Sequence, residues 1–176
     1  IADLEIEDEV KKNGDIGLVE VKGPNVFKGY WKQPEKTKSE FRDDGYFITG
    51  DMGFLDQDNY LTIVGRNKDL IITGGLNVYP KEIETVIDED SNVDESAVVG
   101  VSHPDFGEGI LAIIVEKKGH SINIDVLNET LRKNLAAFKL PKKIHVIKEL
   151  PRNSMGKVQK NVLRDIYRDE FSDTNK

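Results

Sequence analysis

Lys157 stands at the end of a loop of turn-forming residues, PRNSMGK (residues 151–157), directly before a predicted helix. A lysine ammonium next to a flexible glycine is a point charge that can reach a phosphate or a carboxylate. The segment is not a Walker A loop, because that motif's upstream glycines and following Ser or Thr are missing. The ordinary alternative is a solvated loop lysine.

Two further polar residues follow predicted strands. Asp51 comes directly after Gly50 in YFITGD (residues 46–51), and a carboxylate at a strand end can accept hydrogen bonds from a vicinal diol such as a ribose. Arg66 lies in GRNKD (residues 65–69), and its planar donors suit oxyanions. The alternatives are a turn aspartate and a charged turn between domains.

The pair Gly74-Gly75 follows a short apolar segment. Paired glycines permit a ligand to approach the backbone closely, although a bulge that ends a strand is the ordinary alternative. The three histidines, at positions 103, 120 and 145, lack metal-ligand spacing, so no metal site is predicted. Cysteine is absent, which excludes a thiol nucleophile and a disulfide framework.

The elements that position these residues fall into two groups. Up to about Arg66 the chain predicts small antiparallel β-structure, with strands over residues 17–22, 46–49 and 60–64 and a short helix over 34–41. Beyond it, short strands alternate with amphipathic helices over residues 80–88, 124–137 and 158–171. We expect Val126, Leu127 and Leu131 to face inward on the second helix, and Leu163 and Ile166 on the third.

The predicted fold class is therefore α+β. A small antiparallel β subdomain is followed by a compact C-terminal α+β domain, in which a small sheet is flanked by helices.

Charge and hydropathy exclude several kinds of protein. The net charge of −7 argues against a partner that is a nucleic acid or a membrane surface. No apolar run approaches the roughly 20 residues that span a bilayer, so no membrane span is predicted. The first residues are acidic, whereas a signal peptide begins with basic and then apolar residues, so we predict a cytoplasmic protein.

Because the chain begins with Ile, we expect it to be a fragment of a longer protein.

Taken together and in order, four segments resemble a known family. They are GYW (29–31), YFITGD (46–51), GRNKDLIITGGLNVYPKEIE (65–84) and PRNSMGKVQK (151–160). The chain resembles the superfamily of acyl-CoA synthetases, adenylation domains and luciferases along nearly its whole length. Within it, HPDFGEGI and LPRNSMGKVQKNVLR are most similar to malonyl-CoA synthetases, and fatty acyl-CoA ligases share much of this sequence.

The resemblance implies an AMP-forming acid–thiol ligase with two steps. A carboxylate attacks the α-phosphorus of ATP to give an acyl-adenylate, and CoA then displaces AMP. Lys157 would be the adenylation lysine. ATP and CoA would be the co-substrates, with Mg²⁺ held by ligands that lie outside this sequence.

The remaining roles are also implied by the resemblance. Asp51 would bind the ribose hydroxyls of ATP, and Arg66 would contact the ribose side of the nucleotide. Lys68 would be the hinge, where many members have Asp. Gly74 and Gly75 would line the pantetheine tunnel in a second conformation.

The implied domain organisation follows the same comparison. Residues 1–66 would be the C-terminal end of a large N-terminal domain, residues 67–69 the hinge, and residues 70–176 a mobile C-terminal domain. The missing N-terminal domain would be the main partner, so we predict that the fragment alone is inactive. The alternatives are an adenylation domain that loads a carrier protein, a non-catalytic module of the same fold, or an unrelated binding protein with a ferredoxin-like sheet.

Overall fold

A computed structural model describes residues 3–5 and 14–172 of the chain. It divides into two compact units, residues 1–68 and residues 69–176. The α+β class predicted from the sequence is confirmed, with antiparallel sheet structure and flanking helices. Whether residues 67–69 act as a hinge stays a prediction.

The first unit is built on a four-stranded antiparallel sheet whose strands are paired in chain order. Its strands are β1 (Asp3–Glu5), β2 (Gly17–Lys22), β3 (Phe47–Leu55) and β4 (Leu61–Arg66). Between β2 and β3 lies the short helix α1 (Pro34–Glu40), which begins with proline at its first turn, where the missing N–H costs nothing.

The second unit contains a five-stranded sheet and three helices. Strand β8 lies at its centre, antiparallel to β7 along its length, parallel to β9, and in contact with β5 at its first residue. The elements are β5 (Ile71–Thr73), β6 (Leu76–Val78), α2 (Pro80–Asp88), β7 (Val93–His103), β8 (Gly107–Glu116), α3 (Ile124–Asn134), β9 (Lys143–Ile147) and α4 (Lys160–Ile166).

Alternate residues of β8 belong to two separate hydrophobic clusters. Ile110, Ala112 and Ile114 pack with residues of α2 and α3, whereas Leu111 and Ile113 pack in a cluster that includes a residue of α4. Because side chains alternate across a strand, the sheet is covered on both faces. This arrangement explains why β8 is a nearly continuous apolar run.

A buried carboxylate covers the outer edge of β7. Glu84 on α2 is 7% exposed. Its Oε1 accepts the Val98 N–H at 2.8 Å and the ammonium of Lys160, the first residue of α4, at 2.6 Å. Removing a buried partner of this kind typically costs about 3–5 kcal/mol, because it leaves a charge and a donor unpaired. Glu84 therefore joins two helices to one strand.

Four local expectations were wrong. Val126 is 54% exposed and Ile166 is 63% exposed, so neither faces the core. The apolar stripe of α3 passes instead through Leu127 and Leu131. Two helices are also shorter than predicted: α3 ends at Asn134 rather than at residue 137, and the last helix ends at Ile166 and continues as turns.

Candidate functional site

Asp51 and Arg66 face each other across β3 and β4. Arg66 Nη1 lies 2.9 Å from Asp51 Oδ1, and the two side chains are 51% and 30% exposed. Among the described residues, nothing donates a hydrogen bond to Asp51 Oδ2. The pair thus presents a free carboxylate oxygen beside a guanidinium, a combination that can bind a sugar hydroxyl next to an anion.

The backbone that leads into Asp51 is held by local contacts. Gly50 has a φ of +72°, which an L-residue rarely adopts. The Asp51 N–H donates to Thr49 Oγ1 at 3.0 Å, and the Thr49 hydroxyl donates to the carbonyl of Val19 at 2.7 Å. These contacts tie the carboxylate to the neighbouring strand β2.

Lys157 is the last residue of a tight hairpin. Its carbonyl accepts the Asn153 N–H at 2.9 Å, and the bases of the hairpin pair between Arg152 and Val158. Gly156 has a φ of +79°, as expected for the left-handed residue that follows a type I turn in a three-residue hairpin loop. The side chain of Asn153 accepts the N–H of Met155 at 3.0 Å and that of Lys157 at 2.9 Å.

The Lys157 ammonium is exposed, and no described residue pairs with it. The sequence suggested a lysine on a mobile loop. The hydrogen bonds instead make the loop a compact hairpin, so the reach of the ammonium comes from its four-carbon side chain. A cation without an internal partner remains available to an anionic ligand.

Gly74 and Gly75 form the two-residue turn between β5 and β6. Their φ values are +57° and +78°, and both central residues of this kind of hairpin require positive φ. A Cβ on Gly75 would meet nothing within 4 Å, while one on Gly74 would lie 3.6 Å from the Phe106 ring. The positive φ values of the turn therefore explain both glycines without reference to a ligand.

Lys68 is exposed and lies in a short 3₁₀ helix, Asn67–Asp69. The next residue is anchored, because Asp69 Oδ1 accepts a hydrogen bond from Arg164 Nη2 of α4 at 2.9 Å. The change from one compact unit to the other occurs between positions 68 and 69. The hinge role of Lys68 stays a prediction.

The described residues offer different support for each co-substrate. Asp51 and Arg66 have the donor and acceptor groups that a ribose and a phosphate require. Over residues 14–172, no three His, Asp or Glu side chains are close enough to hold a metal ion. Where the Mg²⁺ ligands lie stays a prediction.

Residues 82–157 match the family described as the AMP-binding enzyme C-terminal domain. The chain is 57% identical to MatB from Rhodopseudomonas palustris in its ATP-bound crystal structure, with a TM-score of 0.86 over 97% of this chain and 34% of that one. The chain belongs to the adenylate-forming superfamily. Recognition of this superfamily from the ordered motifs is thereby confirmed.

Curated relatives extend the likeness to other ligases. The 2-succinylbenzoate–CoA ligase of Geobacillus sp. (strain WCH70) is 38% identical over 93% of this chain, and the long-chain-fatty-acid–CoA ligase of Bacillus subtilis (strain 168) is 42% identical over 81%. The chain spans 33% and 25% of their respective lengths. Within the described residues, no helix is both long and apolar enough to cross a bilayer.

The structure brings together two of the predicted site residues, Asp51 and Arg66, and places Gly74 and Gly75 in one turn. It also draws attention to Arg152, which the sequence analysis did not single out. An Asn three residues before a Gly is the signal that predicts the turn at residues 153–156. No local signal predicts the contact of Arg152 with Glu95, because the two are 57 residues apart.

Proposed function

We propose that this chain is the C-terminal part of an ATP-dependent acyl-CoA ligase that forms an acyl-adenylate and transfers the acyl group to CoA. The observation that carries the proposal is the exposed, unpaired ammonium of Lys157 on its hairpin, inside a matched AMP-binding enzyme C-terminal domain. Members of the family use ATP with Mg²⁺ and CoA.

In the first step, a carboxylate oxygen of the acid attacks the α-phosphorus of ATP, and pyrophosphate leaves. Negative charge gathers between two anions that repel each other. The Lys157 ammonium would stabilise that charge and align the reacting groups, a contribution on the order of 3 kcal/mol or a hundredfold in rate. Asp51 and Arg66 would hold the ribose side of the nucleotide.

In the second step, the thiol of CoA attacks the acyl carbonyl, AMP leaves, and the thiol proton is lost to solvent. Lys68 would let residues 70–176 rotate against the large domain that ends at about residue 66, so that the Gly74-Gly75 turn replaces Lys157 at the reaction centre. A turn without side chains leaves space for the narrow pantetheine arm.

For the acid itself, we propose malonate or a close analogue such as methylmalonate. The support is the difference in sequence identity. This chain is 57% identical to MatB, a malonyl-CoA synthetase, but 42% identical to the long-chain-fatty-acid–CoA ligase. A fatty acid is the second candidate, because the long-chain-fatty-acid–CoA ligase of Bacillus subtilis (strain 168) is similar over 81% of this chain. The acyl pocket is expected outside this sequence.

The test uses the complete enzyme that contains this segment, in a coupled assay of pyrophosphate release. Malonate, methylmalonate and fatty acids are compared with and without CoA. Release with malonate at a kcat/KM well above that of fatty acids supports the proposed substrate. Release only with fatty acids overturns the substrate but keeps the reaction, and no release with any acid overturns both.

The alternatives give different outcomes in the same assay. An adenylation domain that loads a carrier protein would release pyrophosphate but form no acyl-CoA. A non-catalytic module would release none. We also propose that the enzyme is cytoplasmic, and that residues 1–176 alone turn over no substrate without the N-terminal domain.

A further inference from the structure

The guanidinium of Arg152 makes two contacts in different parts of the second unit. Nη1 donates to the carbonyl oxygen of Gly156 at 2.6 Å, and Nη2 forms a short ion pair with the carboxylate of Glu95 on β7. The Gly156 carbonyl belongs to the peptide bond whose nitrogen is that of Lys157. One planar side chain therefore connects the peptide next to Lys157 with the central sheet.

The base of the hairpin packs through Val158 on a cluster that includes residues of β7, whereas the other hydrogen bonds of the loop itself are internal. The Asn153 side chain and the Asn153–Lys157 and Gly156–Asn153 backbone bonds close the loop on itself. They define its shape but do not orient its tip with respect to β7. The Arg152 side chain does so, because its fork of donors is rigid and both acceptors lie within its reach.

Stability alone gives a weak reason for this arrangement. Arg152 and Glu95 have side chains that are 44% and 27% exposed. Ion pairs with that degree of solvent contact typically contribute less than about 1 kcal/mol to folding. The Arg152–Glu95 pair instead holds the peptide bond between Gly156 and Lys157. The orientation of this peptide sets the direction in which the Lys157 side chain leaves the backbone.

We propose that Arg152, itself held by Glu95, is a positioning residue for Lys157 in the adenylation step. The inference rests on the proposed function, since it assumes that Lys157 acts on the α-phosphate. The ion pair fixes the Gly156 carbonyl, and through it the hairpin tip, so that the ammonium is aimed before the substrates arrive. Preorganisation of this kind lowers the reorganisation required at the transition state.

The experiment compares Arg152→Ala, Arg152→Lys and Glu95→Gln in the complete enzyme. ATP–pyrophosphate exchange with malonate reports adenylation, and thioester formation from supplied malonyl-adenylate reports the second step. We expect Arg152→Ala to lower kcat for exchange by about a hundredfold, as misplacement of a catalytic group by roughly 1 Å does. KM for ATP, the thioester step and the melting temperature should change little.

The conservative variants test the fork geometry. Arg152→Lys keeps the charge but cannot make both contacts, so we expect only partial rescue of exchange. Glu95→Gln should show a smaller loss in the same half-reaction, and it remains informative if Arg152→Ala fails to fold. Arg168→Ala is the matched control, because its one ion pair within the described part of the chain is with its neighbour Asp169, and both side chains are exposed.

A double variant separates positioning from structure. Added to Lys157→Ala, Arg152→Ala should cause no further loss of exchange, because its effect acts through the lysine. Equal losses in both half-reactions with a lower melting temperature, or unchanged exchange in Arg152→Ala and Glu95→Gln, overturn the inference. If Lys157→Ala alone retains exchange, the proposed function fails instead.

Discussion

Asp51 and Arg66 are cross-strand partners whose side chains meet at 2.9 Å. We expect Asp51→Asn to raise KM for ATP by roughly ten- to a hundredfold, because loss of a charged hydrogen-bond partner costs about 1.5–3 kcal/mol. The measurement is the ATP dependence of pyrophosphate release by the complete enzyme. Asp58→Asn, at an exposed turn between β3 and β4, is the control. An unchanged KM for Asp51→Asn would remove this residue from the nucleotide site.

The exposed ammonium of Lys157 gives the second prediction. Lys157→Ala should lower ATP–pyrophosphate exchange by a hundredfold or more, since it removes a point charge from the first transition state. Thioester formation from supplied acyl-adenylate should be spared. Lys148→Ala, which removes another exposed lysine, is the control. Exchange that survives Lys157→Ala contradicts the assignment.

The short helix around Lys68 gives the third prediction. Lys68→Pro fixes φ near −65°, so rotation of the following unit should be hindered. We expect the thioester half-reaction to slow by at least tenfold more than the adenylation half-reaction, measured separately. Lys68→Ala removes the same side chain without fixing φ and should retain both activities. Equal loss in both steps of the proline variant would exclude a hinge at this position.

Substitutions at Gly75 can distinguish two reasons for a glycine in this turn: its positive φ and the space that it leaves for CoA. Gly75→Ala should destabilise the unit by about 1 kcal/mol, because an L-residue at a φ of +78° is strained. Gly75→Asn, which tolerates that conformation, should lose less stability but still place a side chain over the turn. If the turn lines the CoA path, both variants should slow thioester formation. Normal thioester rates in Gly75→Asn would assign the glycine to the turn alone.

Glu170 gives a prediction about pH. A hydrogen bond from Lys143 at 2.9 Å, with a smaller contribution from His145, lowers the pKa of this carboxyl below its usual value despite partial burial. The ionised group therefore stabilises the folded state above the unfolded pKa of about 4.5, and this contribution is lost as pH falls through the folded pKa.

Glu170→Gln should accordingly reduce the free energy of unfolding by roughly 1 kcal/mol near pH 7 and by progressively less below about pH 4.5. Denaturant unfolding over a pH series measures this difference. Glu149→Gln, at an exposed position, should show no such trend. A difference that stays constant through the acid range would mean that the charge of Glu170 is not responsible.

Local sequence patterns correctly predicted those elements whose ends are marked by proline, glycine or other turn-forming residues. The helix at residues 80–88 was predicted with both ends correct, because Pro80 begins it and its apolar residues recur at helical spacing. Strand β6 was missed, since three residues are too few for a periodic pattern. The prediction that Ile166 faces the core was wrong. This residue is the last of α4, so no further helical turn follows to cover its side chain.

The sequence indicated which residues belong to the candidate site, but it did not predict which of them are in contact. Asp51, Arg66 and Lys157 were singled out because their motifs occur together and in order. That Asp51 opposes Arg66 depends on the register of two strands with a bulge beside them, which no local rule specifies. The ion pair of Arg152 with Glu95 depends on the packing of a hairpin against a strand far away in the sequence.

The carboxylate of Glu84 has a consequence for assembly as well as for packing. Strand β7 is the last strand of its sheet, and a bare outer edge of that length would offer a template for pairing with the same strand of another molecule. Glu84 occupies the outward N–H of Val98 in the middle of this edge, and Lys160 neutralises its charge. A substitution that removes this acceptor, such as Glu84→Ala, would therefore free the Val98 N–H at the edge and favour intermolecular β-aggregation.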